Sequence, residues 1–320
     1  MAYLVLLQIQ NSTTTKGLFP MVLPGLKAPG LSNTLKHKAR SAARHAALDI
    51  LSILTRSKTH SRLKQNRVQN LYFHFLPDED VANFVRLIDT LTEEHTFIPY
   101  SEATSRIKSG LIDGRYLSIS FDDGFKSNVQ AAQILADRGI SACFFVCPDM
   151  VGKDRKYLEQ YFSGDLGTEQ RMMTWEEIQY IKDLGHEIGS HTLTHPVLSE
   201  LPLNEARRQV VDSKAILDAR FGSTKHFAWP RGRFFHFSDE LADIVVNAGY
   251  QTCSSAERGA HLKRATALNI CIRRENCVAS WPIRHSLYLL GRSIRTGHNN
   301  YGQWPIGWQI DRPASSNNDL

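Results

Sequence analysis

From residue 70 onward the sequence alternates short apolar segments with longer amphipathic ones, and this alternation restricts the fold more than any other feature. The apolar segments are rich in strand-favouring residues, whereas the amphipathic segments have helical spacing and end at glycines such as Gly139 and Gly185. Strands that alternate with helices are typical of an α/β domain with a parallel sheet. About seven such strands favour a barrel.

The individual elements can be placed from these patterns. We expect strands at 71–76, 96–100, 117–121, 141–147, 186–191, 226–229, 250–254 and 268–272. We expect helices at 78–94, 101–108, 127–138, 175–184, 204–221 and 239–248. Thr174 and Glu177 have the spacing of a capping box at the start of the fourth helix. The polar stretch 148–172 between two elements is long enough to indicate a functional loop.

The predicted strand 117–121 ends in two adjacent carboxylates, Asp122 and Asp123, followed by Gly124. Neighbouring carboxylates repel each other unless a cation or a shared proton relieves the repulsion. By itself, however, Asp-Asp-Gly is more often a turn than a metal site.

A pair of histidines, His191 and His195, follows a later strand directly. Two imidazoles four residues apart can reach one point, as zinc-type sites require. A surface or capping role is equally compatible with this spacing alone.

Three segments together, 118–124 (SISFDDG), 191–195 (HTLTH) and 227–232 (FAWPRG), resemble the motifs of the polysaccharide deacetylases, the NodB-like family four of carbohydrate esterases. The resemblance extends from about Val68 to Gly291. It implies a distorted (β/α) barrel with the active site at the carboxyl ends of the strands. It also implies an N-acetylated glycan as the substrate.

In such a site, Asp123, His191 and His195 would hold a divalent metal, most readily Zn²⁺, and leave positions free for water and substrate. Asp122 would then be the general base. By resemblance, the main-chain N–H of Arg231 would stabilise the oxyanion.

Other candidates are weaker. Trp229 and Pro230 could contact the sugar, with core packing as the alternative for the tryptophan. His74 matches a Tyr-x-His pattern of the family and could line the pocket or be a buried, hydrogen-bonded histidine. The late Leu-x-His and Asp-Trp elements of the family are missing. The histidines that could replace the late one are His226, His236, His261 and His285, of which His261 is favoured because it lies in the loop after a strand. Arg273 resembles a family arginine that could orient the base, or it is simply exposed.

The positive charge is concentrated before the barrel. Residues 27–67 have a net charge of +9, whereas 68–320 have −4, which argues against a nucleic-acid groove in the predicted domain. We divide the chain into a basic extension at 1–67, the deacetylase domain at 68–291 and a loosely held tail at 292–320. Within the extension, 1–32 are expected to be disordered.

Residues 33–56 of the extension contain an amphipathic basic helix. It could contact an anionic membrane, pack on the domain or remain a solvated linker. Five cysteines without a Cys-x-x-Cys pair, a poor signal peptide at 1–10 and no apolar run of about twenty residues favour the cytoplasm, with the inner membrane face as an alternative.

These features predict a metal-dependent deacetylase of an N-acetyl sugar in a polysaccharide, glycolipid or glycan precursor. A carbohydrate-binding protein that has lost turnover is one alternative, suggested by the missing late motifs. A hydrolase of a different non-peptide amide is the other.

Overall fold

The computed structural model describes residues 31–162, 169, 171–262 and 271–299, and side chains from 40 onward except those of 161 and 295–299. The predictions for 1–30 and for the tail beyond 299 lie outside these residues. The chain divides into two compact units, Met1–Ala47 and Leu48–Leu320. The described part of the first unit is helical, and Arg40–Arg44 are exposed.

The described helices are α1 (Leu31–Leu54), α2 (Arg56–Leu63), α3 (Val81–Thr92), α4 (Tyr100–Ser109), α5 (Asn128–Ala136), α6 (Arg155–Tyr161), α7 (Trp175–Asp183), α8 (Leu203–Phe221), α9 (Asp239–Asn247) and α10 (Ile283–Asn299). The strands are β1 (Arg67–Phe73), β2 (Thr96–Phe97), β3 (Arg115–Phe121), β4 (Ala142–Val146), β5 (Glu187–Ser190), β6 (His226–Ala228), β7 (Thr252–Ser254), β8 (Cys271–Ile272) and β9 (Arg274–Asn276). In the part of the chain with assigned structure, no helix is long and apolar enough to cross a bilayer.

The strands form one parallel sheet that curves into a nearly closed barrel. Their order is β8-β7-β6-β5-β4-β3-β1-β9, and β2 pairs with β3 off this path. β8 pairs with β7 at one edge and β9 with β1 at the other. Since Arg273 alone separates β8 from β9 in sequence, one short segment joins both edges of the sheet.

The core has two layers because strand side chains alternate between the barrel interior and the helix-covered face. On the helix-covered face, Phe121 stacks between Phe73 and Phe144, with ring centroids 5.4 and 5.0 Å apart. The next residue, Phe145, belongs to a separate interior cluster with Tyr100. This packing fixes the strand ends that deliver the functional side chains.

Most predicted elements are present, with shifts of a few residues at their ends. The capping box is confirmed: Glu177 N–H donates to Thr174 Oγ1 and Thr174 N–H to a Glu177 carboxylate oxygen. The five cysteines are free and buried, as expected. Four features were not expected: helix α2, β9, helix α6 inside the predicted loop and helix α10, which crosses the predicted boundary at 291/292.

Candidate active site

Three side chains from two strand ends converge at one edge of the barrel. Asp123 Oδ1 lies 3.3 Å from His191 Nε2 and 3.1 Å from His195 Nε2. These approaches lack hydrogen-bond geometry, so the buried oxygen has no hydrogen bond among the described residues. Ligand atoms at about 2.1 Å from one ion are about 3 Å apart, and one carboxylate with two imidazoles is a common zinc donor set. The three residues therefore fit a divalent metal.

Hydrogen bonds fix the orientation of the first imidazole. His191 Nδ1 lies 2.8 Å from the carbonyl oxygen of Ala228. Because a carbonyl can only accept, Nδ1 carries a proton, and Nε2 is the nitrogen that faces Asp123 and could bind a metal. The Ala228 carbonyl on β6 thus prepares His191 for metal binding.

The turn 191–195 is held by a residue that the sequence did not reveal. The side-chain oxygen of Gln209, a buried residue on α8, accepts hydrogen bonds from the N–H groups of Leu193 (3.1 Å) and Thr194 (3.0 Å). The His195 N–H donates to Thr192 Oγ1 at 3.0 Å. The second imidazole is therefore placed by a hydrogen-bonded turn.

Backbone strain is concentrated at this site. Among the described residues, the non-glycine residues with positive φ are Asp123 (74°), Thr192 (67°), His195 (60°) and Arg231 (62°). Each such conformation costs about 1–3 kcal/mol and persists only where surrounding contacts enforce it. This strain lies only in the predicted motifs among the described residues, which supports a functional role for this edge of the barrel.

Opposing influences act on the Asp123 carboxyl. Burial alone would raise its pKa, but the nearby imidazoles of His195, His191 and His74 outweigh burial and hold the pKa well below its usual value. The site therefore keeps a charged carboxylate in a buried position, as a metal ligand requires.

Asp122 is held by Arg274. Nη1 lies 2.7 Å from Oδ1, and Nη2 lies 2.9 Å from Oδ2. Arg274 is fully buried, and its Nε donates to the Ser255 carbonyl at 2.8 Å. Its guanidinium also lies over the ring of Tyr72, 4.6 Å from the centroid. Asp122 is thus fixed beside the cluster of Asp123, His191 and His195 without being part of it.

The turn after β6 brings a main-chain donor to the same edge. The Arg231 N–H has no acceptor among the described residues, whereas Gly232 N–H donates to Trp229 O at 3.1 Å. A Cβ on Gly232 would lie 2.4 Å from Ala256 atoms, so only glycine fits there. The turn therefore has one free N–H at a strained, fixed position.

These groups surround a cavity of about 200 Å³. It is lined by Tyr72, His74, Phe75, Asp122, Asp123, Phe125, Phe162, His191, His195, Trp229, Arg231, Gly232, Ala256 and Arg274. Residues from all three predicted motifs thus line one space.

Residues 112–253 match the family model described as polysaccharide deacetylase. The chain carries a polysaccharide deacetylase domain. The Bacillus subtilis protein YxkH, whose name refers to the same family, is 29% identical over 144 residues, or 44% of this chain and 45% of that protein. A chitooligosaccharide deacetylase of Sinorhizobium fredii is 27% identical over 135 residues, 41% of this chain and 52% of that protein. The chain thus matches about half the length of these relatives.

Solved structures support the fold of the deacetylase domain. IcaB from Ammonifex degensii has a TM-score of 0.58 and 21% identity, covering 71% of this chain and 98% of that chain. The Streptococcus pyogenes deacetylase PplD in complex with acetate has a TM-score of 0.54 and 18% identity, with the same coverage. At these identities the likeness concerns the fold alone, and it confirms the expected (β/α) barrel.

The structure corrects the choice of arginine beside Asp122. Arg273 was a candidate to orient Asp122, with an exposed position as the alternative, but Arg274 binds Asp122 and Arg273 is itself buried. Arg273 lies between β8 and β9 and donates from Nη1 to the Arg258 carbonyl at 3.2 Å. The polar strand β9 could not be predicted from its residues, so the alternation of its side chains could not show which arginine faces the barrel interior.

The remaining candidates divide between the cavity and its surroundings. His74 lines the cavity and touches Tyr72 edge-on, with centroids 5.4 Å apart. Trp229 lines it too, although the ring is almost fully buried and stacks on Phe237 at 4.4 Å. Pro230 is buried in the turn and is not part of the lining.

His261 lies outside the cavity of the deacetylase domain. Its Nε2 accepts the main-chain N–H of Arg273 at 3.2 Å. Burial and Arg273 lower the pKa of His261 to about 3, so its imidazole is neutral. The structure therefore does not place His261 where it could protonate a leaving group.

Proposed function

We propose that this protein hydrolyses the N-acetyl group of an aminosugar in a glycan. The observation that carries the proposal is the arrangement of neighbouring aspartates: Asp123 faces two imidazoles, while Asp122 is held apart by Arg274. A protein that only binds glycans needs no second, fixed carboxylate beside a metal site. This favours an enzyme over the lectin-like alternative, which is a carbohydrate-binding protein that has lost turnover.

A divalent ion held by Asp123, His191 and His195, most readily Zn²⁺, would polarise the acetyl carbonyl and make a water molecule more acidic. Asp122 takes a proton from that water as its oxygen attacks the carbonyl carbon. The Arg231 N–H donates to the developing oxyanion. The proton then passes from Asp122 to the amide nitrogen, the C–N bond breaks, and acetate and a free amine are released.

The test is acetate release from N-acetylated glucosamine oligomers by the zinc-loaded protein. Asp122→Asn should lower kcat by a factor of about 10³ or more while the zinc content stays near one per chain. His195→Ala should lose both zinc and activity. The zinc content of each variant is measurable by atomic emission after dialysis.

Other outcomes contradict the proposal in distinct ways. Glycan binding without acetate release from any acetylated oligomer would support the lectin-like alternative. Release of formate from a formyl amide, or ring opening of a cyclic amide, with no acetate from acetylated sugars, would support a hydrolase of a different non-peptide amide. Full activity of Asp122→Asn would show that Asp122 is not the general base.

A further inference from the structure

The side chain of Arg231 has no task in the proposed reaction, which uses only the main-chain N–H of this residue. Arg231 lines the catalytic cavity and is exposed. Its guanidinium forms no ion pair and no hydrogen bond with another described residue. The neighbouring Arg233, by contrast, lies 3.1 Å from Glu257. Arg231 therefore presents an uncompensated positive charge at the cavity.

The other charged side chains that line the cavity already have partners. Arg274 binds both carboxylate oxygens of Asp122 at 2.7 and 2.9 Å. Asp123 faces two imidazoles at 3.1 and 3.3 Å. Among the described residues of the lining, the charged group that remains free to bind a ligand is thus the Arg231 guanidinium. A guanidinium binds a phosphate or a carboxylate through two parallel N–H donors.

The backbone of the turn after β6 also indicates a use for this side chain. Arg231 has a φ of 62°, a conformation that is strained for a residue with a Cβ. A glycine would supply the same main-chain N–H without the strain. The turn is fixed, since Trp229 Nε1 donates to the Arg233 carbonyl at 3.1 Å and Gly232 packs directly against Ala256. The Arg231 side chain therefore begins at a fixed point, beside the N–H that is proposed to bind the acetyl oxygen.

The positive charge at this turn acts on its surroundings. Burial lowers the pKa of His236, and the charges of Arg231 and Arg233 lower it further. The domain as a whole does not produce this effect, because residues 68–320 have a net charge of −4. Attraction of an anion to the cavity is therefore local and depends on the arginines of the turn.

We propose that the substrate is anionic and that the Arg231 side chain binds a phosphate or carboxylate group on the acetylated sugar. The protein then prefers acetylated sugars that carry a negative charge over neutral ones. This inference rests on the proposed function and names the chemical class of its substrate. It makes the side chain of Arg231 a determinant of specificity, separate from the main-chain N–H of the same residue.

The experiment compares neutral N-acetylglucosamine with N-acetylglucosamine 1-phosphate and with N-acetylmuramic acid, which carries a carboxylate. For at least one anionic sugar, the zinc-loaded protein should show a kcat/KM at least about tenfold higher than for the neutral sugar. Sodium chloride at 0.5 M should reduce this preference by screening the exposed guanidinium. A preference for only one of the two identifies the anionic group. Equal kcat/KM for all three sugars overturns the inference, whereas the proposed function stands.

Variants of the two neighbouring arginines show whether Arg231 causes the preference. Arg231→Gln keeps the main-chain N–H and should lower the ratio of anionic to neutral kcat/KM about tenfold, whatever its effect on the neutral sugar. Arg231→Lys should retain part of the ratio, because the charge remains without the guanidinium fork. Arg233→Gln is the matched control outside the cavity lining and should keep the ratio within twofold. An unchanged ratio in Arg231→Gln, or an equal loss in Arg233→Gln, overturns the assignment to Arg231.

Calorimetric titration with the deacetylated products separates the two proposals, because it needs no turnover. Zinc-loaded protein should bind glucosamine 1-phosphate or muramic acid at least about tenfold more tightly than glucosamine, and Arg231→Gln should remove the difference. This result supports the inference even if no acetate is ever released, an outcome that overturns the proposed function alone. Binding that is absent, equal for the three sugars or unaffected by Arg231→Gln overturns the inference.

Discussion

Arg274 binds both carboxylate oxygens of Asp122 from the far edge of the sheet, at 2.7 and 2.9 Å. It reaches Asp122 because β9 pairs with β1, which lies next to β3. Arg274 is itself held by the Ser255 carbonyl and the Ser120 hydroxyl. Closure of the barrel and orientation of the proposed base therefore depend on the same three-residue strand.

Arg274→Lys keeps the positive charge but cannot form the two parallel bonds of a guanidinium. We expect kcat for acetate release to fall about 10- to 100-fold, with KM changed less than threefold, because the base loses its orientation. Arg273→Lys is the control for the neighbouring arginine and should keep kcat within twofold. Equal losses in both variants would contradict the assignment of this role to Arg274.

Much of the barrel could be predicted from sequence because its signals are local. The Thr174 and Glu177 capping box depends on residues within one turn, and β4 has a continuous apolar pattern. β9 is different, since Arg274–Asn276 has no strand propensity and becomes a strand only by pairing with β1. Helix α10 has mixed polar and glycine content, and its role appears only in contacts with distant elements.

The same distinction applies to the site. Asp122, Asp123, His191 and His195 lie in short motifs, so their convergence could be predicted from the resemblance and the shared sheet edge. Gln209 gave no signal, because a glutamine within an amphipathic helix is ordinarily solvent-facing. Its burial under the 191–195 turn follows from tertiary packing alone.

Gly232 tests the importance of the turn that presents the Arg231 N–H. Gly232→Ala places a methyl group 2.4 Å from Ala256 and should destabilise the domain by about 2 kcal/mol and lower kcat more than tenfold. Gly139→Ala is the control, since Gly139 also has positive φ but no atom near the added Cβ. It should lose about 1 kcal/mol and keep kcat. Thermal unfolding and acetate release measure both effects.

A pH effect on stability should come from His95, which is buried beside Arg67. Its Nδ1 donates to the Leu91 carbonyl at 3.0 Å, and its Nε2 accepts from Arg67 Nη2 at 2.9 Å. Burial, together with Arg67, lowers the pKa of His95 to about 4. The unfolded chain, with a pKa near 6.5, therefore binds more protons between these values, and stability falls as the pH drops from about 6.5 to 4.

Across this pH range, His95 should lower the free energy of unfolding by about 3 kcal/mol. In urea unfolding at pH 6.5, 5.5 and 4.5, His95→Gln should flatten the decline of the unfolding free energy relative to the wild type. His60→Gln, an exposed histidine on α2, controls for the general loss of an imidazole. An unchanged slope in His95→Gln would show that His95 takes up no extra proton on unfolding.

An exposed apolar cluster lies at the end of α1, within the second compact unit. Leu48 packs on Trp281 and Leu289, whereas Ile50, Ile53 and Leu54 are 58, 67 and 77% exposed. The α2 segment that follows presents exposed Arg56 and Lys58, with Lys64 just beyond it. Apolar side chains flanked by basic ones fit an anionic lipid surface, and we propose that surface as the partner.

The protein should sediment with vesicles containing phosphatidylserine but not with pure phosphatidylcholine, and 0.5 M salt should weaken the binding by screening, for a Debye length of about 3–8 Å. Ile53→Ser with Leu54→Ser should lower the bound fraction severalfold, because about two-thirds or more of each side chain is exposed. Leu111→Ser, at an apolar residue that is 58% exposed on another surface, should not. Equal binding by both variants would refute a lipid contact at this cluster. A wild-type dimer in light scattering that the double substitution dissociates would instead identify a second copy of the chain as the partner.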